Sequence, residues 1–369
     1  MAGGMKAAGL SLDQAPPLDL PFRFFLTAPL FGVAAGLVGA WQGEALVASR
    51  WTPGALSATH LLAIGFLSQI MCGALLQMLP VIAGSPVPAV RPVGAAVHLL
   101  LSAGAALLGW GFLGGGNISL VLGAGSAAIG FLIFVVPVAI ALARARGVPD
   151  SVLALRMAVG ALVVTVFLGV LLSAALQDWI RIASFSRWVD VHLAWGLLGW
   201  IGLLILGVAY QVVPMFHVTE PYPPRLIRWL APLIVAALTV GSLLILIDRE
   251  GSAVVSFAAA AACFVLFAVV TIRLQSLRHR PRVDATLVHW WAALAAMLAA
   301  AAVWVLQGAP ELIGSLLLVG VGVGLSSGML FKIVPFLSWF HLQHRQLATG
   351  RLDVRIPHMH AFLKERDAR

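Results

Sequence analysis

Histidines inside long apolar segments are the residues of this sequence best suited to chemistry. His60 and His192 each lie several residues inside such a segment, at a similar distance from its start. An ionisable group at such a position is costly to bury, and a neutral imidazole is a good ligand for haem iron or copper. The alternative is a structural histidine whose ring is hydrogen-bonded to a backbone carbonyl or a hydroxyl. The sequence leaves both interpretations open for each residue.

Two further histidines and two methionines are weaker candidates. His98 and His289 are predicted near the inner ends of their segments, where they could form a second ligand pair or lie at the membrane interface. Met71 and Met78 follow His60 on one helical face, and their thioether sulfur suits Cu(I), although apolar packing also accounts for them. The remaining histidines are predicted at the cytoplasmic interface or in solvent: His217, His279, His341, His344, His358 and His360.

The composition is that of a membrane protein. Of 369 residues, 61% are hydrophobic and only 10% are charged, too few charges to cover the surface of a soluble chain. The two cysteines are far apart, and the chain has neither a CxxC pair nor a CxxCH motif for covalent haem. We expect a cytoplasmic lead-in over 1–21, a single transmembrane domain over 22–340 and a basic cytoplasmic tail over 341–369.

Ten apolar runs are long enough to cross a bilayer, for which about 20 residues are needed. They are predicted at 22–42, 54–83, 92–113, 118–143, 152–177, 188–215, 226–247, 252–273, 285–307 and 311–340.

The distribution of lysine and arginine predicts the orientation of these helices. With the N-terminus inside, all but four of the 23 basic residues are cytoplasmic, the exceptions being Arg50, Arg181, Arg187 and Arg249. We therefore predict a bacterial inner-membrane protein with both termini in the cytoplasm. The net charge of +9 follows from this asymmetry and from contact with anionic lipid, so nucleic acid is not an expected partner.

An internal repeat is the most informative pattern. The motif G-x7-G-x3-[QK]-x2-P occurs in predicted helices 2, 6 and 10. Its members are Gly65, Gly73, Gln77 and Pro80; Gly199, Gly207, Gln211 and Pro214; and Gly320, Gly328, Lys332 and Pro335.

The repeat predicts an architecture. Its period of four helices indicates three pseudo-equivalent arcs of four, the third of them truncated, with the repeated helices meeting near a central axis. The motif positions fall within one third of the helix circumference, so each helix presents one close-packing face through its glycines. We expect Lys332 to extend towards the cytoplasm, and Gln77 and Gln211 to bond backbone groups freed by the nearby prolines.

Some segments resemble a known family. Residues 59–66 (THLLAIGF) and 191–196 (VHLAWG) resemble the histidine-bearing helices 2 and 6 of haem–copper oxidase subunit I, which is also built as three arcs of four helices. Residues 24–84 are similar to NnrS membrane proteins, haem- and copper-containing relatives linked to nitric oxide metabolism. Residues 328–336 (GMLFKIVPF) resemble small stand-alone members of that group.

The resemblance implies the fold, but much of the oxidase chemistry is missing. An oxygen reductase of that superfamily holds two haems and a copper with six histidines, yet no histidine occurs in 226–247 or 311–340. Two helices of the third arc are also absent. All 14 acidic residues fall in loops, tails or helix ends, whereas proton pumps and conventional NO reductases use an intramembrane carboxylate. These features exclude an oxygen reductase, a proton pump and a conventional NO reductase.

The leading hypothesis is a membrane protein that binds b-type haem and handles electrons or a diatomic gas. His60 is the first expected ligand and His192 the second, within reach of a periplasmic electron donor. Relative to the repeat the two side chains point in nearly opposite directions, which suggests two adjacent inter-arc spaces. The alternatives are a copper or small-solute handler that uses His60, Met71 and Met78, and a cofactor-free assembly subunit.

Overall fold

A computed structural model describes residues 16–82, 84–145, 149–350, 355–358 and 361–363. Over these residues the regular secondary structure is entirely helical, without a strand. Ten helices in them are long and apolar enough to cross a membrane, so the chain has the architecture of a multi-pass membrane protein. They are α1 (Asp19–Gln42), α2 (Pro53–Pro80), α3 (Val90–Gly115), α4 (Asn117–Arg144), α5 (Asp150–Leu176), α6 (Phe185–His217), α7 (Pro224–Leu246), α8 (Glu250–Ser276), α9 (Ala285–Val305) and α10 (Pro310–Thr349).

Each helix coincides with one predicted apolar run, and the largest difference is at α10. This helix was predicted to end at 340 but continues to Thr349. The apolar run marks the part of a helix that lipid can surround, whereas the polar residues beyond it continue the helix in water. The side at which α1 begins, and at which α10 ends, is called the terminal side below, and the opposite side the far side.

Neighbouring helices in the chain pack against one another in a pattern that repeats every four helices. The first helix of each arc packs on the second, which gives the pairs α1–α2, α5–α6 and α9–α10. The third packs on the fourth in α3–α4 and α7–α8, and the arcs join through α4–α5 and α8–α9.

The repeated glycines face the first helix of their own arc. A Cβ atom built on Gly73 would lie 2.7 Å from Phe24 Cβ, and one on Gly207 would lie 3.1 Å from Ala154 Cβ. Gly328 faces His289 in the same way. The glycines therefore pack within each arc, and the repeated helices contact one another through other residues, described below. A sequence repeat identifies a close-packing face but not the neighbour that it contacts.

A second tier of glycines repeats this packing one layer further along. Gly65, Gly199 and Gly320 face Phe31, Ala161 and Ala296, respectively. Each of these partners comes seven positions after the corresponding partner in the first tier, so the two tiers keep one register in all three arcs. The repeat read from the sequence is therefore also a repeat of tertiary contacts.

The centres of α2, α6 and α10 are wound as π-helix at the same position of the repeat. The segments are Leu61–Ser68, Trp195–Gly202 and Leu316–Val323. The three helices meet through them. Trp200 Nε1 donates to Ser68 Oγ at 3.1 Å, and a Cβ on Gly322 would lie 2.8 Å from Leu67. π-Helical turns are rare and are frequent at functional sites, which draws attention to the residues beside them.

The polar member of the repeat also contacts the first helix of its arc. Gln211 Nε2 donates to Ser151 Oγ at 3.3 Å, and Lys332 Nζ donates to Asp284 Oδ2 at 2.6 Å. Gln77 is buried, and no described residue hydrogen-bonds its Oε1. Lys332 is only 8% exposed, and its side chain reaches the carboxylate at the terminal-side start of α9. A carboxylate that lies one helix away offers it a partner inside the protein.

Candidate metal centre

His60 lies on α2 directly before its π-helical segment. Its Nδ1 donates to the Leu56 carbonyl at 2.8 Å, and its ring lies 4.9 Å from the Phe112 ring, centroid to centroid. A carbonyl can only accept, so Nδ1 carries the proton and Nε2 carries the lone pair. No group among the described residues hydrogen-bonds Nε2.

His192 has the same arrangement with a partner on another helix. Its Nδ1 donates to the Thr165 carbonyl of α5 at 3.0 Å, which leaves the Nε2 lone pair without a partner in the described part of the chain. Gly169, one turn further along α5, leaves room for the ring, because a Cβ there would lie 3.2 Å from His192 Cε1. The backbone of α5 therefore holds the tautomer and the position of this imidazole.

The structure brings His60 and His192 within electrostatic range of each other. The sequence had suggested separate spaces, because the two side chains point in nearly opposite directions in the repeat frame. In a ring of three similar helices, however, each helix meets its two neighbours through different faces, as in a heterologous interface. The His60 ring lies against Phe112 of α3, and the His192 ring is held by Thr165 of α5.

A polar network on the far side ties together the starts of the three repeated helices. The Arg50 guanidinium contacts Asp190 at 2.5 Å, and the Arg50 backbone N–H donates to Glu311 Oε1 at 3.0 Å. Asp190 is two residues before His192 in α6, and Glu311 is in the first turn of α10. The network therefore restrains the helix ends nearest the two histidines.

His98 and His289 have separate surroundings. The His98 ring contacts α1 through Nε2, which lies 2.9 Å from Thr27 Oγ1. His98 therefore fastens α3 to α1. His289 packs on Gly328 and lies 5.5 Å from the Phe331 ring, both on α10.

Met71 and Met78 lie at other levels of α2. Met71 is buried in the core, and Met78 lines a small cavity with Ser151, Gly207 and Gln211 among others. At a rise of about 1.5 Å per residue, they are roughly 16 Å and 27 Å along the helix from His60. One ion cannot contact both His60 and either sulfur. The three side chains could therefore act only as separate binding sites.

A buried polar cluster at the terminal side was missed by the sequence analysis. His217 was placed among the interface and solvent histidines but is only 5% exposed. Its Nδ1 lies 3.1 Å from Gln275 Nε2, its ring packs edge-on against Trp290, and it is within electrostatic range of Asp284 and Lys332. Its position at the end of an apolar run was the one sequence signal for burial.

The other tail and loop histidines agree with their predicted exposure. His279 is exposed and lies 2.9 Å from Glu220, and His341, His344 and His358 are exposed. His360 lies outside the described residues.

No protein-family model matches the sequence, and no curated protein matches it. In the described ranges, no group of three or more His, Cys, Asp or Glu side chains is placed to share one metal ion. The candidate centre is therefore a pair of neutral imidazoles. Such a donor set is chemically suited to the axial positions of haem iron and to Cu(I), whereas a structural zinc site uses four protein ligands.

Proposed function

We propose that this protein is a membrane metalloprotein that holds b-type haem through His60 and His192 and handles electrons or a diatomic gas. The observation that carries the proposal is the matched hydrogen bonding of the two rings. Each donates Nδ1–H to a backbone carbonyl and leaves Nε2 without a protein partner. Metal-binding histidines are usually held in this way, because the Nδ1 bond fixes the tautomer and orients the ring.

The protein itself would hold and orient the haem. Leu56 and Thr165 fix the two rings, and Gly169 leaves space beside His192. Bound haem supplies one-electron chemistry and, if one axial position is open, a site for NO or CO. The repeated arcs support a haem–copper oxidase-like fold, of the kind found in NnrS proteins, without proton pumping. In a bacterial inner membrane with cytoplasmic termini, the two histidines would lie towards a periplasmic electron donor.

Copper handling is the second candidate. Two neutral imidazoles without a carboxylate also suit Cu(I), and Met78 offers a soft sulfur beside a small cavity lower in α2. In this case His60 and His192 would form the first copper-binding site, on the far side.

The experiment compares purified wild type with His60→Ala, His192→Ala and the exposed control His279→Ala. Visible spectra, a pyridine haemochrome assay and copper analysis are measured on each, with helical content and gel filtration as checks on folding. We expect haem in the wild type and in His279→Ala, and its loss from His60→Ala. A colourless wild type produced with ample haem would overturn the haem proposal. Bound copper would then favour the second candidate, and the absence of both would favour a cofactor-free assembly subunit.

A further inference from the structure

The third arc is less covered than the other two at equivalent positions. On α2, Ser57 is 0% exposed, and its equivalent on α6, Val191, is 3% exposed. The equivalent on α10, Leu312, is 49% exposed. One turn further along, Leu61 and Trp195 are buried, whereas Leu316 is half-buried. One face of α10 therefore lacks the packing partner that the equivalent faces of α2 and α6 have.

The third helix of each complete arc provides this cover. Leu61 packs on Gly109 of α3, where a Cβ would lie 2.9 Å from the leucine. Trp195 Nε1 donates to Ser242 Oγ of α7 at 3.0 Å. In both arcs a helix antiparallel to the repeated one presents a small residue at this point. Leu316 holds the equivalent position on α10.

Among the described residues, no transmembrane helix follows α10 to supply this cover. Both α2 and α6 end close after the repeated proline. The helical backbone continues to Ile82 after α2 and stops at His217 in α6. α10 instead runs on as polar helix from 341 to Thr349, away from the position that the third helix of an arc would occupy.

Two glycines elsewhere on the surface of α10 also have few neighbours. A Cβ on Gly314 would have no neighbour within 4 Å, and one on Gly324 would meet only the carbonyl of Val319 in its own helix. Each glycine inside a helix costs about 1 kcal/mol relative to alanine, and glycine in membrane helices typically allows another helix to approach closely. Val319, between them, is 49% exposed.

We propose that this open face of α10 (Leu312, Leu316, Val319 and Val323) docks a transmembrane helix of a partner membrane protein. The partner helix runs antiparallel to α10 and presents a small residue to Leu316, as α3 and α7 do in the complete arcs. A second copy of this chain is a poorer fit, because a twofold axis along the membrane normal would place two α10 helices parallel. The inference does not depend on bound metal.

The test places a photocrosslinking amino acid at Leu312, Val319 or Val323 of the full chain in the membranes of the source cell. Leu30 and Leu37, exposed on α1, are the matched lipid-facing controls. We expect a one-to-one adduct with one membrane polypeptide from the α10 positions and none from α1. The crosslinked partner residues should occur in reverse order, those from Val323 preceding those from Leu312 in the partner sequence.

A second variant checks that the adduct reports docking. Val319→Trp should reduce the adduct from Leu312 at least tenfold by blocking close approach, whereas Leu37→Trp should leave it unchanged. Equal yields of the two variants on gel filtration show that both fold. Adducts with lipid alone, adducts with a second copy of this chain, a parallel order of crosslinks, or an adduct indifferent to Val319→Trp would each overturn the proposal.

Discussion

Lys332 in α10 donates a 2.6 Å hydrogen bond to Asp284, the residue whose carboxylate also accepts the Leu287 N–H and so caps the start of α9. In the second arc Gln211, the equivalent of Lys332, makes a neutral contact with Ser151, which lies two positions further into its helix than Asp284 does. An uncharged contact therefore joins the same two helices in the second arc.

The double variant Lys332→Gln/Asp284→Ser, in which both partners are neutral, should be about as stable as wild type. A buried ion pair can often be replaced by neutral groups at little cost, whereas removing one partner leaves a buried charge and costs about 3 kcal/mol or more. Lys332→Gln alone should therefore be clearly less stable, as measured by unfolding in detergent. A double variant as unstable as the single one would contradict this expectation.

Asp284 should also give stability a specific dependence on pH. Burial alone would raise the pKa of this carboxyl, but hydrogen bonds from Lys332 and from the Leu287 N–H outweigh it and lower the pKa below its ordinary 3.8. A carboxyl with a depressed folded-state pKa adds stability above its unfolded pKa and loses it as the pH falls through the folded pKa. Compared with the double variant, which lacks the carboxyl, wild type should keep a constant stability difference from about pH 5 to 8 and lose stability below about pH 4. A difference that changes between about pH 5 and 8 would contradict the assignment.

Gly169→Leu should displace the His192 ring, because even a Cβ at this position would lie 3.2 Å from Cε1. We expect most of the bound haem to be lost while the helical content is unchanged. Gly160→Leu is the matched control on the same helix, since a Cβ there has no neighbour within 4 Å. Equal haem content in the two variants would exclude His192 as a ligand that depends on this space.

Gly73→Leu should destabilise the α1–α2 contact by about 1–3 kcal/mol through overpacking against Phe24. Gly36→Leu on α1 should have little effect, because a Cβ there meets no atom within 4 Å. Folded yield and thermal unfolding measure both. A Gly73→Leu variant with the folded yield and thermal stability of the wild type would contradict the close packing assigned to the repeated glycines.

The predicted orientation can be tested with single cysteines on the two sides. Arg280→Cys, in the terminal-side loop between α8 and α9, should resist a membrane-impermeant reagent in intact cells, because basic loops stay in the cytoplasm. Gln307→Cys, in the far-side loop before α10, should be labelled. The reverse pattern would invert the orientation and the predicted access of an electron donor.

The ten helices and the repeat could be predicted because apolar length and fixed spacing are local properties of a sequence. The neighbours of each helix could not. The glycine motif identified the packing face of α2 but not its contact with Phe24, and the helical direction of His60 did not reveal its proximity to His192. The Lys332–Asp284 contact joins residues 48 positions apart, and sequence spacing alone cannot predict it.

The π-helical segments have a consequence for the history of the molecule. A π-helical turn corresponds to one extra residue accommodated within an α-helix, and here that extra residue lies at the same register of α2, α6 and α10. Three independent insertions at one register are a far less economical origin than a single insertion that was later copied. The shared register therefore favours an origin in which the widened turn preceded the duplication of the arcs.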